Sequence, residues 1–96
     1  MKPVKATIWD PAKYLETEEQ IIAYLEDVFK TGDPNLIIVA IGDVARARGM
    51  AKIADDTKRG RESLYKSFSQ DGNPSFETVM KVLFSLGLSL RPTSVS

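Results

Sequence analysis

Residues 46–69 read Arg46-Ala-Arg-Gly-Met-Ala-Lys-Ile-Ala-Asp-Asp-Thr-Lys-Arg-Gly-Arg-Glu-Ser-Leu-Tyr-Lys-Ser-Phe-Ser69. The spacing predicts two short helices, Met50 to Thr57 and Arg61 to Phe68, joined by a tight turn. The first should bury Ile53 and Ala54. The second should bury Leu64 and Phe68, one helical turn apart, leaving Arg61, Glu62, Tyr65 and Lys66 on another face. Small Ala54 lets two backbones approach, and Leu64 pins the second helix onto the first. This is the sequence shape of a helix-turn-helix, whose second helix can lie in a DNA major groove.

Upstream, Thr17-Glu-Glu-Gln20 has the form of a capping box, with Glu18 and Glu19 at the positive end of the helix dipole. Ile21, Leu25, Val28 and Phe29 then make one apolar stripe with Ile22 beside it, and Gly32 suits a left-handed stop. A helix over 17–31 follows. Asp33-Pro34 places an N-cap oxygen before a proline at the first helical position. The helix that starts there is apolar on most sides from Leu36 to Ala47 and so central. Gly42 inside it signals close helix contact or a bend, and Gly49 ends it. The β-branched run Ile37-Ile38-Val39 has strand character, but the flanking caps favour helix.

Downstream, residues 70–74 form a turn, and Ser75 or Asn73 caps a last helix, Phe76 to Leu86. Its inward residues are expected to be Phe76, Val79, Met80, Leu83 and Leu86, with Gly87 as its stop. Leu88 and Leu90 alternate with Ser89 and Arg91, the pattern of a short extended tail able to pair across a dimer. The result is an all-α, five-helix domain over residues 17–91, with an N-terminal arm over 1–16 and a frayed tail over 92–96. In the arm, Ile8, Trp9, Tyr14 and Leu15 are too apolar for a purely disordered segment. They either fold back on the core or await a partner.

Ninety-six residues suit one small domain. The chain has no Cys and no His, which removes disulfides, thiol nucleophiles, the usual zinc ligand sets and the commonest general base. No apolar run approaches the roughly 20 residues of a membrane span, and the first ten residues lack a secretory signal. A cytoplasmic, non-enzymatic protein without metal or cofactor is expected. Asp55-Asp56 diverge on a helix and are better read as solvated than as a Mg²⁺ site.

Net charge is zero, but its distribution is lopsided. Asp10, Glu16, Glu18, Glu19, Glu26, Asp27 and Asp33 crowd one region. Arg46, Arg48, Lys52, Lys58, Arg59, Arg61 and Lys66 crowd the helix pair. Such a footprint fits phosphate contact at one end and a basic partner at the other. The plainer reading is that both sets of charges solvate exposed faces.

Several motifs together carry a family likeness: Gly32-Asp-Pro34, Gly42-Asp-Val-Ala-Arg-Ala-Arg-Gly-Met50, Ile53-Ala54, Arg61-Glu-Ser-Leu-Tyr-Lys66, Gly72-Asn-Pro74 and Leu86-Gly-Leu88. With Trp9-Asp-Pro-Ala-Lys-Tyr-Leu15, they resemble the HigA-like addiction-module antidote proteins, Xre-type antitoxins with a lambda-repressor-like helix-turn-helix fold. The resemblance implies a type II antitoxin that neutralises a RelE/ParE-like toxin and represses its own operon as a homodimer on double-stranded operator DNA. A stand-alone Xre-type regulator without a toxin, and a protein-binding domain whose helix pair has lost DNA contact, are the alternatives. Relatives usually carry Gly-Leu-Ser where this chain has Lys58-Arg59-Gly60. Left-handed Lys58 would cost roughly 1 kcal/mol or more, unless Gly60 takes the kink instead.

By the same resemblance Arg61, Glu62, Ser63, Tyr65 and Lys66 fall on the recognition helix. Arg61 suits a bidentate bond to guanine, and Ser63 and Tyr65 suit phosphate or base-edge bonds, although Tyr65 also fits a half-core position. Glu62 suits a cap or an intrahelical pair with Lys66 better than a cytosine contact. Lys52, Lys58, Arg59 and Lys66 are phosphate candidates. On the acidic side Trp9, Tyr14, Glu16, Glu19, Glu26 and Asp27 are the candidates for toxin contact.

Overall fold

Among residues 15–95, which the computed structural model describes, the chain forms five helices and no strand. They are α1 (Glu18–Lys30), α2 (Pro34–Arg48), α3 (Met50–Thr57), α4 (Arg61–Ser67) and α5 (Phe76–Ser85). Local chemistry sets the boundaries. The Thr17 hydroxyl accepts from the Gln20 amide at 3.1 Å, and the Gln20 side chain accepts from the Thr17 amide at 3.1 Å, completing the capping box. The Asp33 carboxylate accepts from the amides of Asn35 and Leu36, with Pro34 at the first helical position. Each such cap is worth about 1 kcal/mol. The run 37–39 is helical, as the caps imply.

A single residue joins α2 to α3. Gly49, at φ +113°, donates to the Ala45 carbonyl and accepts from the Ile53 amide. α3 thereby begins at once, and Met50 is buried directly after the glycine.

The core runs through all five helices: Ile21 and Leu25 of α1, Ala40, Ile41, Val44 and Ala45 of α2, Met50 and Ile53 of α3, Leu64 of α4, Val82 and Leu83 of α5. Phe68, just past α4, and Leu15, before α1, complete it. α1 packs on α2, while α3 contacts α2, α4 and α5. The middle of α2 is the buried part. Its apolar start is not, since Ile37 to Val39 are half-buried and Leu36 is exposed. Gly42 is the point where α2 meets the end of α4: a Cβ there would overlap the Phe68 carbonyl oxygen. The signal at Gly42 was therefore close contact.

One sequence expectation fails in α5. Phe76 is 70% exposed and Met80 38%, while Thr78 and Val82 turn inward with Leu83. The helix holds more apolar residues than one face can bury, so periodicity alone does not choose the stripe. The cap helps to choose it. Ser75 Oγ accepts from the Thr78 amide at 3.1 Å and lies 2.9 Å from the Thr78 hydroxyl, which satisfies that polar group and lets it go inside. After α5, Gly87 at φ +82° donates to Phe84 and Leu88 donates to Leu83, a Schellman stop. Residues 88–95 then run without regular structure, and Leu88 and Leu90 pack half-buried against the core.

Candidate functional site

The α3–α4 pair presents most of the candidate residues. Leu64 and Phe68 are each 1% exposed and fix α4 by one side. Burying such side chains stabilises by about 1.5–3 kcal/mol each. With that face committed, Arg61, Glu62, Ser63, Tyr65 and Lys66 are all exposed. Among the described residues no ion pair engages Arg61, Glu62 or Lys66. The expected Glu62–Lys66 pair does not form, and neither does a Glu62 cap, since α4 starts without a side-chain cap bond. An exposed pair of this kind is worth at most about 1 kcal/mol, so little compels it to form. The cations of α4 are left available.

Tyr65 is oriented by a relay that crosses three helices. The Tyr24 hydroxyl on α1 donates to Asp43 Oδ2 at 3.1 Å. Asp43 Oδ1 accepts from Arg46 Nη1 at 3.5 Å, and the Arg46 guanidinium lies 5.5 Å from the centre of the Tyr65 ring. Tyr65 is 40% exposed, so it is neither core nor free: a cation covers one face. Burial, then the Asp43 charge and its hydrogen bond, push the Tyr24 phenol up to about 12, which keeps it a neutral donor. Arg46 was placed by the sequence reading only in the basic cluster, and its contact with Tyr65 was missed. Its signal was Asp43 three residues earlier, which holds it against α4.

The turn carries the most unusual chemistry. Lys58 takes φ +60° and ψ +34°, the left-handed region. Its amide donates to Asp55 at 3.3 Å and the Arg59 amide donates to Ala54 at 3.1 Å, a full Schellman pattern with lysine in the glycine position. The conformation costs about 1–2 kcal/mol. Gly60 does not relieve it, since it sits extended at φ −69° before α4. Arg59 occupies the half-buried place where such motifs put an apolar residue, and its Nε is buried without a hydrogen-bond partner among the described residues. The tail of Lys58 is exposed.

Lys52 is less available than its sequence position suggested. Its Nζ lies 2.8 Å from Asp56 Oδ2, which also accepts from Ser85 Oγ at 2.8 Å. These bonds, that from Lys52 first, hold the Asp56 carboxyl below its ordinary value and tie α3 to α5. Asp56 thus has a structural task. Among the described residues no cluster of three carboxylates could hold a metal ion.

The acidic candidates lie elsewhere. Glu19, Glu26 and Asp27 are exposed on α1, and Glu16 is exposed just before it. Glu16 also lends its carbonyl to Arg48 Nη1 at 3.0 Å. Glu26 borders an open cleft between α1 and residues 87–95, which also holds Ile22, Phe29, Leu88 and Leu90. Trp9 and Tyr14 lie outside the described residues. Among the described residues no helix is long and apolar enough to cross a membrane.

Comparison with known proteins adds the family. A family profile described as probable addiction module antidote protein matches residues 5–94. The chain is similar to an uncharacterized protein of Haemophilus influenzae, 46% identical over 83 residues, spanning 86% of each chain. No solved structure matches the chain.

Proposed function

The chain belongs to the family of probable addiction module antidote proteins, and from that premise we propose that it is the antitoxin of a two-gene toxin–antitoxin pair. In this reading it is a HigA-like, Xre-type antitoxin. It holds a basic RelE/ParE-like toxin through the acidic outer face of α1 and represses its own operon through the α3–α4 pair. α4 acts as the recognition helix of a helix-turn-helix, with Arg61 at a guanine edge and Lys66, Lys58 and Arg59 on phosphates. Two copies related by a two-fold axis set two such helices about 34–36 Å apart on a palindromic operator.

One observation carries the DNA half of this reading. α4 is braced by Leu64 and Phe68, while Arg61 and Lys66 stay exposed and, among the described residues, form no ion pair. A helix meant only for packing has no need of a cationic outer face held by an Arg46–Tyr65 contact.

Co-expression with the product of the neighbouring gene tests the antitoxin half. The expected result is a stable complex that purifies together and relieves the partner's growth arrest. Absence of a complex at micromolar concentration contradicts it.

A further inference from the structure

α5 has two faces with different fates. Thr78, Val82 and Leu83 are spent inside. Across the helix from Thr78 and Val82, and beside Leu83, Phe76 is 70% exposed, Met80 38% and Phe84 82%. These three are four residues apart in sequence, so they form one ridge along the helix. Other exposed apolar side chains, Ile22 on α1 and Leu36 on α2, stand on other helices, and scattered exposure is ordinary. A ridge with two aromatic rings in water is not.

Beside the ridge lies a row of opposite charges, Glu77 and Lys81, whose Oε2 and Nζ are 3.3 Å apart. The order of these charges selects what can cover the ridge. A parallel copy of α5 would set Glu77 against Glu77 and Lys81 against Lys81. An antiparallel copy sets Glu77 against the partner subunit's Lys81, and Lys81 against the partner subunit's Glu77. The same arrangement lays Phe76 beside the partner subunit's Phe84, with Met80 near the axis. A basic partner finds no excess of negative charge on this face, whereas a second copy finds charge and shape that match its own.

We infer that the Phe76–Met80–Phe84 ridge is the self-association surface of this protein, covered by the same ridge of a second copy running antiparallel about a two-fold axis near Met80. The surface rests on the dimer proposed above and is independent of DNA and toxin. The three side chains expose on the order of 400 Å² per copy. The pair with its charged rim therefore reaches only the lower end of stable interfaces, about 1,200 Å² in total. A concentration-dependent dimer follows.

Sedimentation equilibrium of the full chain between about 1 µM and about 500 µM reads this out. The expected result is a monomer–dimer equilibrium, shifted at least tenfold towards monomer by Phe84→Asp while the helical circular dichroism is retained. Charge variants test the direction. Glu77→Lys and Lys81→Glu, each alone, are expected to weaken the dimer, and mixing the two is expected to restore a heterodimer. A dimer unaffected by Phe84→Asp, or single charge variants that do not recombine on mixing, would overturn the surface alone. A monomer throughout that range would overturn both the surface and the dimer on which it rests, pointing instead to a different protein as the occupant.

Discussion

Gly42 and the carbonyl of Phe68 stand so close that a β-carbon on the glycine would overlap the oxygen. This contact joins the middle of the central helix to the end of α4. It fixes how far α4 can settle onto the core, and so how far its cationic face projects.

Gly42→Ala tests that contact. In an ordinary helix interior the change would stabilise by about 1 kcal/mol through propensity. Here the overlap is with backbone, which no rotamer change relieves, and overpacking costs about 1–3 kcal/mol. The expected net result is a loss of stability in urea denaturation. A gain would mean that α2 and α4 are further apart.

The turn after α3 gives two changes of the opposite sign. Lys58→Gly removes the left-handed strain and returns part of it as unfolded-chain entropy, for a net gain of about 0.5–1 kcal/mol. On the proposed reading of Lys58 as a phosphate contact, it should also lower the salt slope of DNA binding by about 1. Arg59→Leu replaces a buried unpaired Nε with the apolar group this turn accommodates, and a further gain of about 1 kcal/mol is expected. Thermal unfolding of both variants checks the first pair of numbers. Unchanged midpoints would contradict the strain at Lys58 and the burial of Arg59.

Tyr24 predicts an alkaline limit. Its phenol titrates near 12 in the fold against 10.0 ordinarily. The folded state therefore holds the proton more tightly. The stability this confers is complete below about pH 10 and is lost as pH rises from there through about 12. Tyr24→Phe should lower stability at neutral pH by removing the bond to Asp43, and should flatten that alkaline fall. An identical fall in the variant would place the titrating group elsewhere.

The helices were legible where a cap coincided with a periodic stripe. Thr17-Glu-Glu-Gln20 and Asp33-Pro34 marked two starts to within a residue. Leu64 and Phe68 were readable as the anchors of α4, because the two lie a turn apart in an otherwise polar run. The facing of α5 was not. Phe76, Val79, Met80, Val82, Leu83, Phe84 and Leu86 spread around most of the helix, and the Ser75–Thr78 hydroxyl pair that turns it is a contact that hydropathy does not register. The role of Arg46 was hidden for a related reason. Its partners Tyr24 and Tyr65 are distant in sequence, and only the fold brings them to one carboxylate and one ring.

The most direct test is fluorescence anisotropy with a duplex carrying the sequence upstream of this protein's own gene, read at two salt concentrations for the parent chain and for Arg61→Ala with Lys66→Ala. The expected result is binding that falls steeply with salt. The variant should lose about 1–3 kcal/mol at the Arg61 base, with a shallower salt slope from Lys66. Binding by the parent that the double variant leaves unchanged, or no binding at either salt concentration, would contradict the assignment of α4 as the DNA-reading helix.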